Sequence, residues 1–165
     1  AMFLAIGGHG DSIVFEGPVL RKKMQSGGRG QKEADFLKFA SEHIVMRDFA
    51  PRYIGTVQEP DGPGWIEMEN LLHGLSKPLV MDIKMGVQTF GPDATEDKKQ
   101  EQIKKARKST SGSLGVRVIG AIVPPSSTGG DFECIGYKFK RDEPTDEASF
   151  AACLRRFLPS PQLVL

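Results

Sequence analysis

Apolar and polar positions along this chain change their period several times, and each change marks an element. Ile13-Val14-Phe15 and Val19-Leu20 flank Glu16-Gly17-Pro18, two apolar runs around a turn, which predicts a β-hairpin. The second strand runs on through Arg21-Lys22-Lys23-Met24. Side chains alternate along a strand, so Lys22 shares a face with Leu20 and Met24, while Arg21 and Lys23 point the other way. Lys22 is therefore the basic residue expected to point into a cleft. Ser26-Gly27-Gly28-Arg29-Gly30 reads as a flexible glycine-rich loop, its glycines too irregular for a P-loop.

From 31 to about 47 the spacing turns helical, with Phe36, Leu37, Ala40 and Ile44 on one face. Glu33 falls in the first turn, where the helix dipole favours a carboxylate. Residues 65–69 alternate as another strand, and Asn70-Leu71-Leu72 reads as a connector. Asp93-Ala94-Thr95-Glu96 resembles a capping box and predicts a helix to about Lys108. Its only apolar positions are Ala94, Ile103 and Ala106, so it cannot be deeply buried. Residues 114–123 are apolar and β-branched, predicting a core strand; 124–130 read as a loop and 145–158 as a final amphipathic helix. This order predicts a small nucleotide-binding lobe over 1–71 and a second lobe over 72–165, with no internal repeat.

Two charge patterns break the apolar ones. The run Leu79-Val80-Met81-Ile83 carries Asp82 and Lys84, two residues apart and so on one face of a strand. An uncompensated buried charge is costly, so the two need a partner, an ion or an anionic ligand; an internal salt bridge is the plainer reading. In the polar helix, Lys98, Gln102 and Lys105 stand at i, i+4 and i+7 and form one stripe, with Lys104 and Lys108 nearby. That is either a solvated face with lysines placed for the C-terminal dipole or a basic wall for a ligand bearing several phosphates.

Composition adds limits rather than a function. Hydrophobic residues make up 39% and charged residues 26%, as in ordinary globular domains. A net charge of +1 gives no global field for nucleic acid, and none is expected as a partner. No run approaches the ~18 apolar residues of a membrane span, and no membrane partner is expected. Cys134 and Cys153 form no CxxC pair and read as core thiols of a reducing compartment, cytoplasm or nucleus. His9, His43 and His73 show no metal spacing and read as structural or surface residues. The opening Ala1-Met2 lacks the basic start of a signal peptide and reads as a scar before a cut start.

Pro78-x-x-x-Asp82-x-Lys84-x-Gly86 resembles the signature of the inositol polyphosphate kinase family. From Pro78 to Gly120 the chain is similar, without a gap, to the inositol hexakisphosphate kinase branch. The matching text is Asp82-Ile-Lys-Met-Gly86, Gly91-Pro-Asp-Ala94, then Lys98, Gln102, Lys104 and Lys105, then Ser109-Thr-Ser111 and Leu114-Gly-Val-Arg-Val118. The Ser-Thr-Ser with Leu-Gly-Val-Arg favours that branch over the multikinase. Glu101 departs from it, because the branch tends to carry a basic residue there and a carboxylate beside a polyphosphate is unfavourable. Nearer the N-terminus, Gly7-Gly8-His9 resembles the family's Gly-His opening, and Arg47-Asp-Phe-Ala-Pro-Arg-Tyr-Ile-Gly55 resembles its Arg-Pro-Phe-Val-Pro-x-Tyr-x-Gly stretch. Val19-Leu20 with its basic residues resembles the strand bearing the ATP lysine. One inserted residue places that lysine at Lys22, and without it the position is Arg21; the facing argument favours Lys22.

The resemblance implies an α+β, two-lobed, protein-kinase-like (ATP-grasp-like) fold with ATP and Mg2+ as cofactors. It implies phosphorylation of inositol polyphosphates, inositol hexakisphosphate to a diphosphoinositol phosphate above all. Lys22, its helix partner Glu33, the hinge residues Glu69 and Leu71, and Asp82 at the ribose would bind ATP. Lys84 would act between the γ-phosphate and the substrate, and Lys98, Gln102, Lys105 and Arg29 would hold the inositol phosphates. The family's Ser-Leu-Leu strand and its metal-binding Ile-Asp-Phe segment do not appear after Leu158. The expectation is a monomeric piece of a longer kinase, its C-terminal part missing and its catalysis poor; a degenerate member is the other possibility. The alternatives in function are a multikinase or trisphosphate kinase acting on less phosphorylated inositols, and a non-catalytic inositol phosphate sensor.

Overall fold

Two antiparallel sheets organise the chain, one in each of two units. The computed structural model describes Ile6 and residues 12–91, 94–125 and 130–158. The expected Gly7-Gly8-His9 opening, the Asp93 cap and most of the 124–130 loop lie outside these residues.

Residues 8–78 form the first unit. It contains β1 (Ile13–Glu16), β2 (Val19–Lys23), α1 (Arg29–Glu42), a 3-10 turn (Met46–Asp48), β3 (Tyr53–Gln58) and β4 (Gly64–Glu69). The sheet order is β1-β2-β4-β3. The hairpin forms where the pattern places it, with Gly17 at φ 58° in its turn. Ala34 and Leu37 of α1 pack on Ile66 and Met68 of β4, with Leu20, Met24 and Tyr53 around them. Period-2 alternation thus holds in β2.

The helix differs from its expectation. It begins at Arg29, inside the expected loop, and ends at Glu42 rather than near 47. Gly30 permits the early start, since a Cβ there would lie 2.7 Å from the Met24 Cβ. Glu33 therefore sits in the second turn, away from the N-terminal dipole. The buried stripe is Gly30, Ala34, Leu37 and Ala40, whereas Phe36 and Ile44 are 49% and 74% exposed. Ile44 lies past the helix because His43 turns extended (ψ 128°), and its Nδ1 accepts the N–H groups of Val45 and Met46. His43 is structural, as its lack of metal spacing implies.

The second unit comprises residues 79–165 with the first seven, of which Ile6 is described. It contains β5 (Val80–Met85), α2 (Glu96–Arg107), α3 (Thr110–Leu114), β6 (Val116–Val123), β7 (Glu133–Ile135), a 3-10 turn (Tyr137–Phe139) and α4 (Glu147–Phe157). The sheet order is β5-β6-β7. Leu114 belongs to α3 instead of the strand, because Gly115 at φ 71° ends the helix and lets β6 begin. Thr95 caps α2, its hydroxyl accepting from the Lys98 N–H. Asp146 and Ser149 form the capping box of α4.

A bulge sets the faces of this sheet. Asp82 pairs with Gly120 but Ile83 pairs with Val118, so Ile119 has no counterpart on β5. Met81, Val118, Ala121 and Val123 consequently share one face, where they meet Ile135, Cys153, Phe150 and Phe157 in the core. Asp82 and Lys84 take the other face, opposite Gly120 and Arg117.

Candidate nucleotide and anion sites

In the first unit one cation is locked and its neighbour is placed against a helix. Arg21 lies 3.4 Å from Glu67, 3.6 Å from Glu16 and 3.8 Å from Glu59, and its guanidinium stands 5.2 Å over the Trp65 ring. Three carboxylates leave it little attraction for a further anion. Lys22, on the opposite face, pairs with Glu33 of α1 at 2.5 Å. A lysine held by one helix glutamate keeps two N–H donors for phosphate oxygens. Arg29 is exposed at the first position of α1.

Asn70 fastens the connector after β4. Its side-chain amide donates to Gly17 O at 2.7 Å, its N–H donates to Pro18 O at 2.9 Å, and its Oδ1 accepts the Leu72 N–H at 3.1 Å. These bonds hold Glu69 and Leu71 at the hairpin turn, with the Leu71 side chain 59% exposed. Asn70 has a positioning part that the sequence reading did not assign; its polar side chain at the end of an alternating strand was the available signal.

In the second unit, Asp82 and Lys84 share one face of β5, as the alternation requires. Lys84 faces Arg117 across the strands, cation opposite cation. Arg117 is 6% exposed, its guanidinium 4.5 Å over the Tyr137 ring and its Nε without a hydrogen-bond partner. Gly86 closes the motif at φ 93° and donates its N–H to Gly115 O at 2.6 Å. That bond ties the end of β5 to the start of β6.

The stripe on α2 is more engaged than its spacing implies. Lys98 is exposed. Gln102 accepts from the Thr89 hydroxyl at 3.0 Å. Lys105 is paired with Glu101, one turn earlier, at 2.6 Å. The hydrogen bond from Lys105 holds the Glu101 carboxyl below its ordinary value, and the same bond raises Lys105. Arg117 and Tyr137 also act on Lys105, so the three lie in one electrostatic neighbourhood.

Lys22 with Glu33, beside a carboxylate-locked Arg21, fits a nucleotide phosphate. Among the described residues no group of three or more His, Cys, Asp or Glu side chains could hold a metal ion. No helix among them is long and apolar enough to cross a membrane.

Comparison with known proteins places this architecture. The profile of the family described as inositol polyphosphate kinase matches residues 65–163. Inositol polyphosphate multikinase alpha of Arabidopsis thaliana is 40% identical over 105 residues, 60% of this chain and 37% of that protein. Inositol hexakisphosphate kinase 1 of Rattus norvegicus is 45% identical over 62 residues, 38% of this chain and 14% of that protein. The chain thus spans well under half the length of these curated relatives. A solved S. cerevisiae inositol phosphate multikinase, in complex with ADP and Mn2+, superposes with a TM-score of 0.68 at 24% identity, covering 88% of this chain and 59% of that one. The mixed fold with antiparallel sheets is therefore the expected kinase-like one, and with 99 matched residues the chain belongs to the inositol polyphosphate kinase family.

Proposed function

We propose that the protein takes part in ATP-dependent phosphorylation of inositol polyphosphates, with inositol hexakisphosphate the favoured substrate. The observation that carries this reading is the pair of cations set opposite each other on β5 and β6, Lys84 and Arg117, inside the region the family profile matches. Lys22 and Glu33 would hold nucleotide phosphates, Asp82 would hold the ribose, and the backbone near Glu69 and Leu71 would meet the base. Lys84 would steady the charge that gathers on the transferred phosphoryl group, a task for fixed cations in this chemistry. Lys98, Gln102, Lys105 and Arg29 would orient the polyphosphate. The ADP and Mn2+ of the yeast structure support nucleotide and divalent-metal use. A bound magnesium ion would neutralise phosphate charge. The two unbridged cysteines support a cytoplasmic or nuclear setting.

A second reading, a multikinase acting on less phosphorylated inositols, is favoured by the longer match to the plant multikinase and by Glu101, which subtracts from the charge of the helix. Isotope transfer from labelled ATP with magnesium, run on this chain and on a version extended at its C-terminus, tests both. Transfer to inositol hexakisphosphate supports the first reading and transfer only to lower inositol phosphates the second. Binding without transfer by either protein would leave a non-catalytic sensor.

A further inference from the structure

Lys84 and Arg117 are register partners, and like charges directly opposite each other destabilise a sheet. Neither takes part in an ion pair found among the described residues, although carboxylates neutralise Arg21, Lys22 and Lys105. Arg117 is also more than nine-tenths buried, and a buried guanidinium with an unpartnered Nε carries a desolvation cost that stacking on Tyr137 offsets only in part. Ring stacking on its face leaves the Nε–H edge of the fork without a partner. That edge matches two oxygens of one phosphate. A structural arginine in this position would be expected to meet a carboxylate or carbonyl, and it meets none of those described.

We propose that Arg117 is a phosphate ligand which, with Lys84 opposite it and Lys105 of α2, grips one phosphate of the substrate. This rests on the reading of the second unit as an inositol phosphate site. It assigns to Arg117 the planar recognition that the lysines cannot supply. The ligand-free protein then holds an electrostatic debt between β5 and β6 that the phosphate cancels.

The test titrates the wild-type protein, R117Q and R117K with inositol hexakisphosphate and, separately, with inorganic pyrophosphate, following heat of binding and thermal melting. R117Q should bind inositol hexakisphosphate at least about ten-fold more weakly, and R117K about three-fold or more. Without ligand, R117Q should melt no lower than wild type, because a like-charge opposition has been removed. Unchanged affinity in both variants overturns the proposal, as does a lowered ligand-free melting point with unchanged affinity, the mark of a structural residue. If R117Q does not fold, R117K decides by the same criterion. If wild type binds no inositol phosphate, the functional reading falls, and pyrophosphate decides the rest. Binding that depends on Arg117 keeps the phosphate site, and no binding removes it.

Discussion

Glu101 stands one helical turn before Lys105 and holds its ammonium at 2.6 Å, in the orientation that best supports a helix. The lysine expected to meet substrate is thus partnered in the free protein, and a polyphosphate has to compete with the glutamate for it. Glu101→Gln should therefore tighten inositol phosphate binding by about two- to ten-fold, since one repulsive carboxylate is removed and Lys105 is released. Calorimetric titration reads this directly; equal or weaker binding by the variant would show that Lys105 does not meet the ligand.

The same pair has a defined pH window. The carboxyl of Glu101 is lowered from 4.5, so its contribution to α2 is whole above that value and is lost as pH falls through the lowered one. Lys105 is raised from 10.5, so its contribution is whole below that value and is lost only above the raised one. Melting temperatures of wild type and Glu101→Gln should keep a constant difference from about pH 5 to about pH 10 and converge in acid. A difference that titrates near neutrality would contradict the pairing.

Lys22 and Arg21, adjacent in sequence, should separate cleanly in function. Lys22→Ala should weaken ATP binding and leave inositol phosphate binding unchanged. Arg21→Ala should leave both and lower stability by about 1 kcal/mol, the scale of a partly exposed ion-pair group with a ring contact. Nucleotide fluorescence titration with a parallel melt distinguishes them, and an ATP defect confined to the Arg21 variant would reverse the assignment.

Lys84 should matter for transfer more than for folding. In a catalytically active form of the protein, Lys84→Ala should lower kcat/KM by at least about a hundred-fold, roughly 3 kcal/mol of transition-state stabilisation, with a melting point no lower than that of wild type. A variant that keeps turnover while melting lower would make the residue structural.

Much of this arrangement was legible in the residues because it followed from period alone. Facing along β2 separates Lys22 from Arg21, and facing along β5 puts Asp82 beside Lys84; both patterns survive folding. What failed depended on backbone termination. Ile44 fits an apolar stripe only if α1 runs on, and the helix ends at Glu42; Phe36 lies within the helix but off the face that Gly30, Ala34, Leu37 and Ala40 bury. Arg117 carried the same anomaly as Lys84, a charge within a β-branched run, but its meaning depends on which residue it faces. The bulge at Ile119 decides that, and no local spacing announces it. The Glu101–Lys105 pair is readable as an i, i+4 match, although Lys105 also belongs to the lysine stripe and its spacing serves either role.

Reversing the α2 stripe tests the remaining assignment. Lys98→Glu with Lys105→Glu should abolish inositol phosphate binding. It should leave the melting point nearly unchanged, with a small loss from a second carboxylate one turn from Glu101. Titration at moderate salt beside a thermal melt reads both quantities, and unchanged affinity would make the stripe a solvated face.

The unpaired Ile119 acts on the sheet as a phase shift acts on a wave. Before it, β6 turns odd-numbered Arg117 toward Lys84; after it, even-numbered Gly120 and Ile122 take that side. Remove that one residue and the alternation becomes regular with no side chain changing sides, Arg117 and Gly120 still toward Lys84 and Asp82, Val118 and Ala121 still toward the core. A second loss would turn Ala121 and Val123 out of the core and Gly120 and Ile122 into it. The binding chemistry and the core of this unit thus tolerate one missing residue in this strand and no more.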